Sequence, residues 1–216
     1  MNIKGIVFDL DGTLADSVID IAESMNLVLK EQNLAVHKID AYKQFAGNGI
    51  RKLVERALPE ELKTGDTFTK NMNRMLEVYG ENCINKTKLF PGVADLLDQL
   101  QEKGIKIAVF SNKVDDLTQK VVKVLLSNWD LAFVSGVSST VGRKPNPQGA
   151  LLAAEKMGFS PKEIIFVGDS GVDMETAKNA GMTGIGVLWG FRSAEELKAN
   201  GAKAIISEAT DLINHL

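Results

Sequence analysis

The chain has 216 residues, of which 44% are hydrophobic and 25% charged, a composition typical of a globular protein that buries its own core. A formal net charge of −3 gives no basic surface, which argues against nucleic acid as a partner. No apolar run approaches the roughly 20 residues that span a membrane, and the single cysteine, Cys83, cannot form an internal disulfide. We therefore expect a cytoplasmic protein without a membrane partner.

The first predicted element is a strand at residues 4–10, and it ends in two carboxylates. Its run Gly5 to Phe8 is apolar at every position, and Asp9 and Asp11 follow with only Leu10 between them. Two like charges at this spacing are costly to bury unless a positive group lies between them. The stretch therefore predicts a metal site at the end of the first strand.

The next part of the chain, residues 15–86, is predicted to be helical. It contains no convincing strand, and a weakly patterned helix is expected at residues 66–83. Two apolar stripes at helical spacing precede that helix: Val18, Ile21, Ala22, Met25, Val28 and Leu29, then Ile50, Leu53, Val54 and Ala57. Because roughly 70 residues far exceed a normal connection, we predict an inserted all-helical domain over residues 15–86, with hinges at 13–17 and 85–91.

From residue 91 onwards, helical patterns alternate with short apolar runs. Strands are predicted at 105–111, 133–137, 164–167, 185–189 and 204–206, and helices at 91–103, 114–126 and 147–157. Consecutive apolar positions are typical of parallel strands covered on both faces. This alternation predicts an α/β fold, a Rossmann-like, doubly wound parallel sheet formed by residues 1–14 and 87–216.

Polar side chains cluster where several predicted strands end, which is where open α/β sheets bind their ligands. Ser111 and Asn112 end the second core strand, Asp169 follows the fourth, and Asp173 comes four residues later. Lys144 precedes the intervening helix. Carboxylates without a nearby histidine or cysteine favour a hard cation, so we predict Mg²⁺.

These groups suit the transfer of a phosphoryl group. One carboxylate can attack phosphorus, and a second, two residues along, can protonate the leaving oxygen and later activate water. Ser111, Asn112 and Lys144 supply hydrogen-bond donors and one positive charge for the phosphoryl oxygens. Gly12 and Thr13 permit a sharp turn and offer backbone N–H groups to the same oxygens.

Four segments, DLDGTL, VFSNK, RKPNP and VGDSGVDMETAKNAGM, resemble the motifs of the haloacid dehalogenase-like hydrolase superfamily and occur in its order. The resemblance covers nearly the whole chain, since the helical insertion matches the cap domain placed after the first motif. It implies that Asp9 is the nucleophile and Asp11 the general acid and base, and that Ser111 and Lys144 bind the phosphoryl group.

The same resemblance implies a Mg²⁺ ion held by Asp9, the backbone carbonyl of Asp11 and Asp169. Asp173 is then expected to support the metal through water or a further hydrogen bond. A carboxylate at position 11 also points to phosphoryl transfer, because the dehalogenase branch is expected to lack one there.

The cap would select the leaving group, and its signal is FAGNGIRKLVERAL at residues 45–58. Gly47 and Gly49 precede a helix start whose amides could face an anion, and Arg51 could bind a substrate carboxylate. A solvated Arg51 at a helix entry is equally compatible with the sequence. Arg192, near a later helix start, is expected to be solvated.

The cap loop and VLWGFRS at residues 187–193 resemble the phosphoglycolate phosphatase branch. This predicts a Mg²⁺-dependent phosphatase for a small phosphorylated metabolite, with 2-phosphoglycolate as the first candidate. A phosphomutase of the β-phosphoglucomutase type, a pyrophosphatase or nucleotide phosphatase of the same superfamily, and a catalytically silent binding protein are the alternatives. The intact motif residues argue against the last of these, and the sequence leaves the oligomeric state open.

Overall fold

A computed structural model of the protein describes residues 3–216, and its centre is a parallel β-sheet. The strands of the described residues are β1 (Gly5–Phe8), β2 (Ala15–Asp16), β3 (Lys88–Leu89), β4 (Lys106–Val114), β5 (Leu131–Val137), β6 (Ile164–Gly168), β7 (Thr183–Val187) and β8 (Ala204–Ile206). Six of these strands form one sheet in the order β5-β4-β1-β6-β7-β8, with parallel pairing throughout. The predicted doubly wound α/β sheet is therefore confirmed.

Nine α-helices lie within the described residues. They are α1 (Val18–Glu31), α2 (Ile39–Phe45), α3 (Ile50–Ala57), α4 (Gly65–Asn82), α5 (Val93–Glu102), α6 (Asp115–Leu125), α7 (Gln148–Met157), α8 (Gly171–Ala180) and α9 (Ala194–Ala199). Short 3-10 helices occupy Glu60–Leu62, Pro161–Glu163 and Ala209–His215. None of these helices is both long and apolar enough to cross a membrane.

Both faces of the sheet are buried, which explains why its strands are apolar at consecutive positions. Val7, Phe110 and Phe166 belong to a cluster with residues of α7 and α8, whereas Ile6 and Val109 belong to a larger cluster that includes α5 and α6. Burying each large apolar side chain contributes roughly 1.5–3 kcal/mol. The alternating side chains of one strand thus stabilise two helical layers.

Helices α1 to α4, residues 18–82, form what we call the helical insertion. Helix α1 packs on α2 and α4, and α3 packs on the same two helices. Tyr42 and Met75 are fully buried in the insertion and belong to the same large apolar cluster as one face of the sheet. The insertion follows the predicted helical segment closely, and its division from the sheet as a separate domain stays a prediction.

The two connections to the insertion lie side by side. Strand β2 precedes α1, β3 follows α4, and the two pair antiparallel, with Ala15 opposite Leu89 and Asp16 opposite Lys88. Asp20, in the first turn of α1, accepts hydrogen bonds from the backbone N–H groups of residues 86 and 87. The chain therefore leaves and re-enters the sheet through one short ribbon.

Candidate active site

The carboxyl ends of β4, β1 and β6 meet because β1 lies between the other two in the sheet. Asp9 directly follows β1, and its backbone N–H bonds the Val167 carbonyl at 2.9 Å. Asp169 follows β6, and Ser111 lies near the end of β4. The ladder pairing thus brings together side chains that are up to 160 residues apart in the sequence.

Three buried carboxylates form the centre of the site. Oxygens of Asp9, Asp169 and Asp173 all lie within 4.8 Å of one another. The Lys144 ammonium is 2.8 Å from Asp9 Oδ1 and 2.7 Å from Asp173 Oδ1. Burial raises the pKa of Asp9 to about 7; the nearby charge of Lys144 lowers this pKa, and the charge of Asp173 raises it. Burial and the other two carboxylates also hold the pKa of Asp169 well above its usual range.

The donor set of this cluster fits a divalent cation bound by oxygen. One ammonium among three carboxylates leaves two negative charges uncompensated, and a doubly charged ion would neutralise them. Among residues 3–216, Asp9 Oδ2 and Asp169 Oδ1 receive no hydrogen bond, so these oxygens are available to a metal. The structure thus brings together three of the residues predicted to act at a metal.

Asp173 is engaged through both of its oxygens. Oδ2 accepts hydrogen bonds from the Ser170 backbone N–H at 3.0 Å and from its hydroxyl at 2.6 Å, which caps the start of α8. Oδ1 accepts from Lys144 at 2.7 Å. Asp173 therefore fixes the position of Lys144 and of the first turn of α8.

Two glycines allow the loops after β1 and β7 to close around Asp169. A Cβ at Gly12 would lie 2.4 Å from Asp169 Oδ2, and one at Gly190 would lie 2.3 Å from the Cβ of Asp169. Gly12 also has a φ of +86°, a conformation that other residues rarely adopt. The adjacent Phe191 N–H donates to Asp169 Oδ2 at 2.7 Å. The site therefore requires glycine at both positions.

Asp11 lies outside the three-carboxylate cluster and has its own partners. Its Oδ1 accepts from the Ser17 hydroxyl at 2.6 Å and lies 2.9 Å from the Lys113 ammonium. Lys113 also donates to the hydroxyl of Tyr79, on α4, at 2.5 Å. Burial raises the pKa of Tyr79, so this hydroxyl is neutral. Asp11 is thus held between the ribbon of the insertion and a buried lysine.

Lys113 and Tyr79 were missed at the level of the sequence. The lysine is visible in VFSNK, yet a lysine after a strand is usually solvated. In the structure β4 runs on to Val114, and its register is irregular between Phe110 and Val114. Such an irregularity re-aims side chains, and Ser111, Asn112 and Lys113 are all buried here.

The residues predicted to bind the phosphoryl group occupy the same end of the sheet. Ser111 Oγ accepts from the Lys113 backbone N–H at 3.2 Å. Asn112 accepts from the Lys144 backbone N–H at 2.8 Å and donates to the Gly47 carbonyl at 3.1 Å, so it joins two loops. The Thr13 hydroxyl is buried without a hydrogen-bond partner among the described residues. Substrate contacts of these residues stay predictions.

A cavity lies between the helical insertion and this end of the sheet. Asp9, Asp11, Ser111, Asn112 and Lys113 supply its polar groups together with Tyr79, and Ile21, Ala46, Ile50, Leu53, Met75 and Leu117 form its apolar walls. Arg51 is not among the lining residues; its exposed guanidinium lies 4.8 Å from the Phe68 ring centroid. The structure therefore does not bring Arg51 to the predicted site.

The prediction that Arg192 is solvated is wrong. Its side chain is 9% exposed and donates to the carbonyls of Lys43 and, at 2.8 Å, of Ala46. Both acceptors lie at the end of α2, whose last carbonyls lack partners within the helix. The loop after β7 thus binds the insertion directly, through a contact between residues 146 positions apart.

Comparison with known proteins gives one consistent result. Residues 6–187 match the family model for haloacid dehalogenase-like hydrolases. The chain is 32% identical to phosphoglycolate phosphatase of Escherichia coli K12, over 98% of this chain and 92% of the relative. It is also 32% identical to phosphoglycolate phosphatase of Aquifex aeolicus, over 98% and 97%. A solved structure from Haemophilus somnus, described as a predicted phosphoglycolate phosphatase, superposes with a TM-score of 0.90 at 30% identity, covering 100% of this chain and 98% of that one.

Proposed function

The chain belongs to the haloacid dehalogenase-like hydrolases, and on that premise we propose that it is a Mg²⁺-dependent phosphatase with 2-phosphoglycolate as its first candidate substrate. The observation that carries the proposal is the buried group of Asp9, Asp169, Asp173 and Lys144, with Asp11 beside it. An excess of negative charge of this size is costly to bury unless a cation compensates it, and buried clusters of this kind are typical of functional sites.

Asp9 is the proposed nucleophile. Its Oδ1 is held by the Leu10 N–H at 2.7 Å and by Lys144, so the carboxylate has a fixed orientation. Attack on phosphorus forms a bond from Asp9 to phosphorus, and the bond from phosphorus to the ester oxygen breaks. Lys144 and Ser111 stabilise the charge on the phosphoryl oxygens during this transfer.

Asp11 is the proposed general acid and base. In its protonated form it donates a proton to the departing ester oxygen, and the resulting carboxylate then accepts a proton from the water that attacks the aspartyl-phosphate. Hydrolysis releases phosphate and restores Asp9. Ser17 and Lys113 orient Asp11 through its Oδ1 atom.

Mg²⁺, held by Asp9, Asp169 and the backbone carbonyl of Asp11, would neutralise the carboxylates and polarise the phosphoryl oxygens. Asp173 contributes indirectly, since both of its oxygens already bind Ser170 and Lys144. Its expected role is to hold Lys144 in place.

Residues 15–86, which comprise the helical insertion and the residues that flank it, are proposed to act as a cap domain. It covers the cavity that contains Asp9 and Asp11, and its paired connections, β2 and β3, would serve as the hinge. Opening would admit the substrate, and closing would exclude bulk water from the reaction.

The decisive experiment measures phosphate release from 2-phosphoglycolate, hexose phosphates, nucleotides and pyrophosphate, with Mg²⁺ and with a chelator. Asp9→Asn preserves the shape of the side chain and removes the nucleophile, so release should fall at least a thousandfold. Asp66→Asn is the matched control, because this aspartate is exposed in the first turn of α4 and does not line the cavity. Wild-type activity in Asp9→Asn would refute the mechanism.

The same panel separates the alternatives. Preference for pyrophosphate or a nucleotide would keep the mechanism and change the substrate. Isomerisation of a sugar phosphate without net phosphate release would identify a phosphomutase. As a readout independent of turnover, Mg²⁺ should raise the melting temperature of the wild type more than that of Asp9→Asn, since a ligand stabilises the state that binds it.

A further inference from the structure

The cavity beneath the helical insertion contains a buried cation, Lys113, whose only part in the proposed chemistry is to orient Asp11. The Lys113 side chain is only 4% exposed, although most of the wall around it is apolar. Lys144 faces Asp9 and Asp173, whereas Lys113 faces Asp11 and Tyr79. The two lysines therefore divide the site into a phosphoryl end and a second, separate cationic end.

The ammonium of Lys113 has hydrogen-bonding capacity to spare. It carries three N–H donors, and among residues 3–216 its side-chain acceptors are the carboxylate of Asp11 and the hydroxyl of Tyr79. The Tyr79 ring also lies 4.6 Å from the ammonium, where its π-face attracts a cation. One donor thus remains for a ligand in the cavity that Lys113 lines.

We propose that Lys113 and Tyr79 form the subsite that binds a carboxylate on the leaving group, and that this subsite selects phosphate esters whose alcohol part carries a carboxylate over esters whose alcohol part is neutral. The inference rests on the proposed phosphatase function. It assigns to Lys113 the carboxylate contact that the sequence suggested for Arg51, whose side chain is exposed outside the cavity lining.

The position of Lys113 limits the length of the substrate. Its ammonium is 2.9 Å from Asp11, and Asp11 must reach the ester oxygen to protonate it. A carboxylate bound by Lys113 is therefore separated from the ester oxygen by a very short chain, such as the single methylene of 2-phosphoglycolate. Phosphate esters of long or bulky neutral alcohols do not match this spacing.

The subsite also depends on the seating of the helical insertion. Lys113 comes from the sheet, and Tyr79 comes from α4. The anion site is complete only when α4 lies over the sheet, so a substrate carboxylate would stabilise the closed arrangement. Binding of the leaving group's carboxylate and closure of the helical insertion over the sheet would thus depend on the same pair of residues.

The test compares two substrates in three variants. Ethyl phosphate is a short phosphate ester without the carboxylate of 2-phosphoglycolate, and the measured quantity is the ratio of kcat/KM for the two compounds. Lys113→Met should lower this ratio at least tenfold, largely through a higher KM for 2-phosphoglycolate. Lys113→Gln removes the charge but keeps a polar side chain, and it should lower the ratio similarly. It replaces Lys113→Met in the test if that variant folds poorly.

Lys120→Met is the matched control, because Lys120 also joins the sheet region to α4, donating to the Gly80 carbonyl at 2.6 Å, but does not line the cavity. It should leave the ratio unchanged. If Lys113→Met lowers kcat/KM equally for both substrates, Lys113 only positions Asp11 and the proposal is wrong. If the wild type hydrolyses ethyl phosphate as well as 2-phosphoglycolate, the subsite is refuted while the phosphatase function stands; if it hydrolyses no phosphate ester, both fail.

Discussion

Replacing Asp20 by alanine should destabilise the protein far more than removing a neighbouring surface acid. Asp20 is 2% exposed and accepts hydrogen bonds from Lys86 and Thr87, two consecutive residues of the connection that returns to the sheet. Its carboxylate oxygens lie 2.9 and 3.0 Å from the backbone nitrogen of Lys86. They also lie 2.8 Å from the backbone nitrogen and 2.6 Å from the hydroxyl of Thr87. The carboxylate therefore fastens the ribbon to the first turn of α1.

The size of the expected destabilisation follows from the hydrogen-bond donors that lose Asp20 as their acceptor. Lys86 is exposed, so its N–H can bind water instead, but Thr87 is only 7% exposed and would retain two unpaired donors. Each buried donor left unpaired costs about 1–3 kcal/mol. Loss of an acid from the first turn of a helix adds about 0.3–1 kcal/mol. We expect Asp20→Ala to lower the free energy of unfolding by about 3 kcal/mol, within a range of about 2–7 kcal/mol.

Urea and thermal unfolding would measure this effect, with Glu23→Ala as the control. Glu23 lies one turn along α1 and also contacts Lys86, but as an ion pair in which both side chains are 52% exposed. Exposed pairs contribute about 0–1 kcal/mol. The Asp20 variant should melt roughly 6–12 °C below the wild type. Equal unfolding free energies for the two variants would refute the view that Asp20 secures the ribbon.

Three further outcomes follow from single contacts at the site. Gly190→Ala places a Cβ 2.3 Å from the Cβ of Asp169 and so displaces this carboxylate. The Mg²⁺ concentration needed for half-maximal phosphate release should therefore rise at least tenfold. Arg192→Met removes the donors that bind the end of α2, so KM should rise several-fold and hydrogen exchange at residues 39–50 should accelerate. Trp189→Phe removes a 2.9 Å bond from the indole N–H to a carbonyl of the loop after β1, and chemical unfolding should show a loss of about 0.5–1.5 kcal/mol.

Each of these outcomes has its own control or refutation. Gly80→Ala adds a Cβ that meets nothing closer than 3.9 Å, and its Mg²⁺ titration should match the wild type. Unchanged exchange in the Arg192 variant would mean that this contact does not hold the insertion. For Trp189→Phe, wild-type stability would show that water replaces the indole without cost.

Much of the fold was predictable because it rests on local patterns. Consecutive apolar residues in β1 and β6 indicated strands buried on both faces, and the structure has them in a parallel sheet. The absence of strand patterns over residues 15–86 indicated the helical insertion. Helix α2 was missed, since only Tyr42 of its seven residues is buried and an apolar stripe is lacking.

The candidate site was predictable where its residues directly follow strands. Asp9, Ser111 and Asp169 had to meet once β1, β4 and β6 were neighbours. The pairing order itself was not readable from the sequence, because apolar runs in a parallel sheet carry little information about which strand lies beside which.

By itself, the sequence determined the sheet, the insertion and the carboxylates, since each depends on periodicity or on spacing within a few residues. Only the tertiary structure decided which basic side chains are buried and which are solvated. Lys113 meets Tyr79 across 34 residues, and Arg192 meets Ala46 across 146. Arg51 closely follows the predicted anion-binding loop of Gly47 and Gly49, yet its side chain is exposed beside Phe68. Whether a long basic side chain is solvated or buried depends on the surface packed against it, and here that surface exists only when the insertion lies over the sheet.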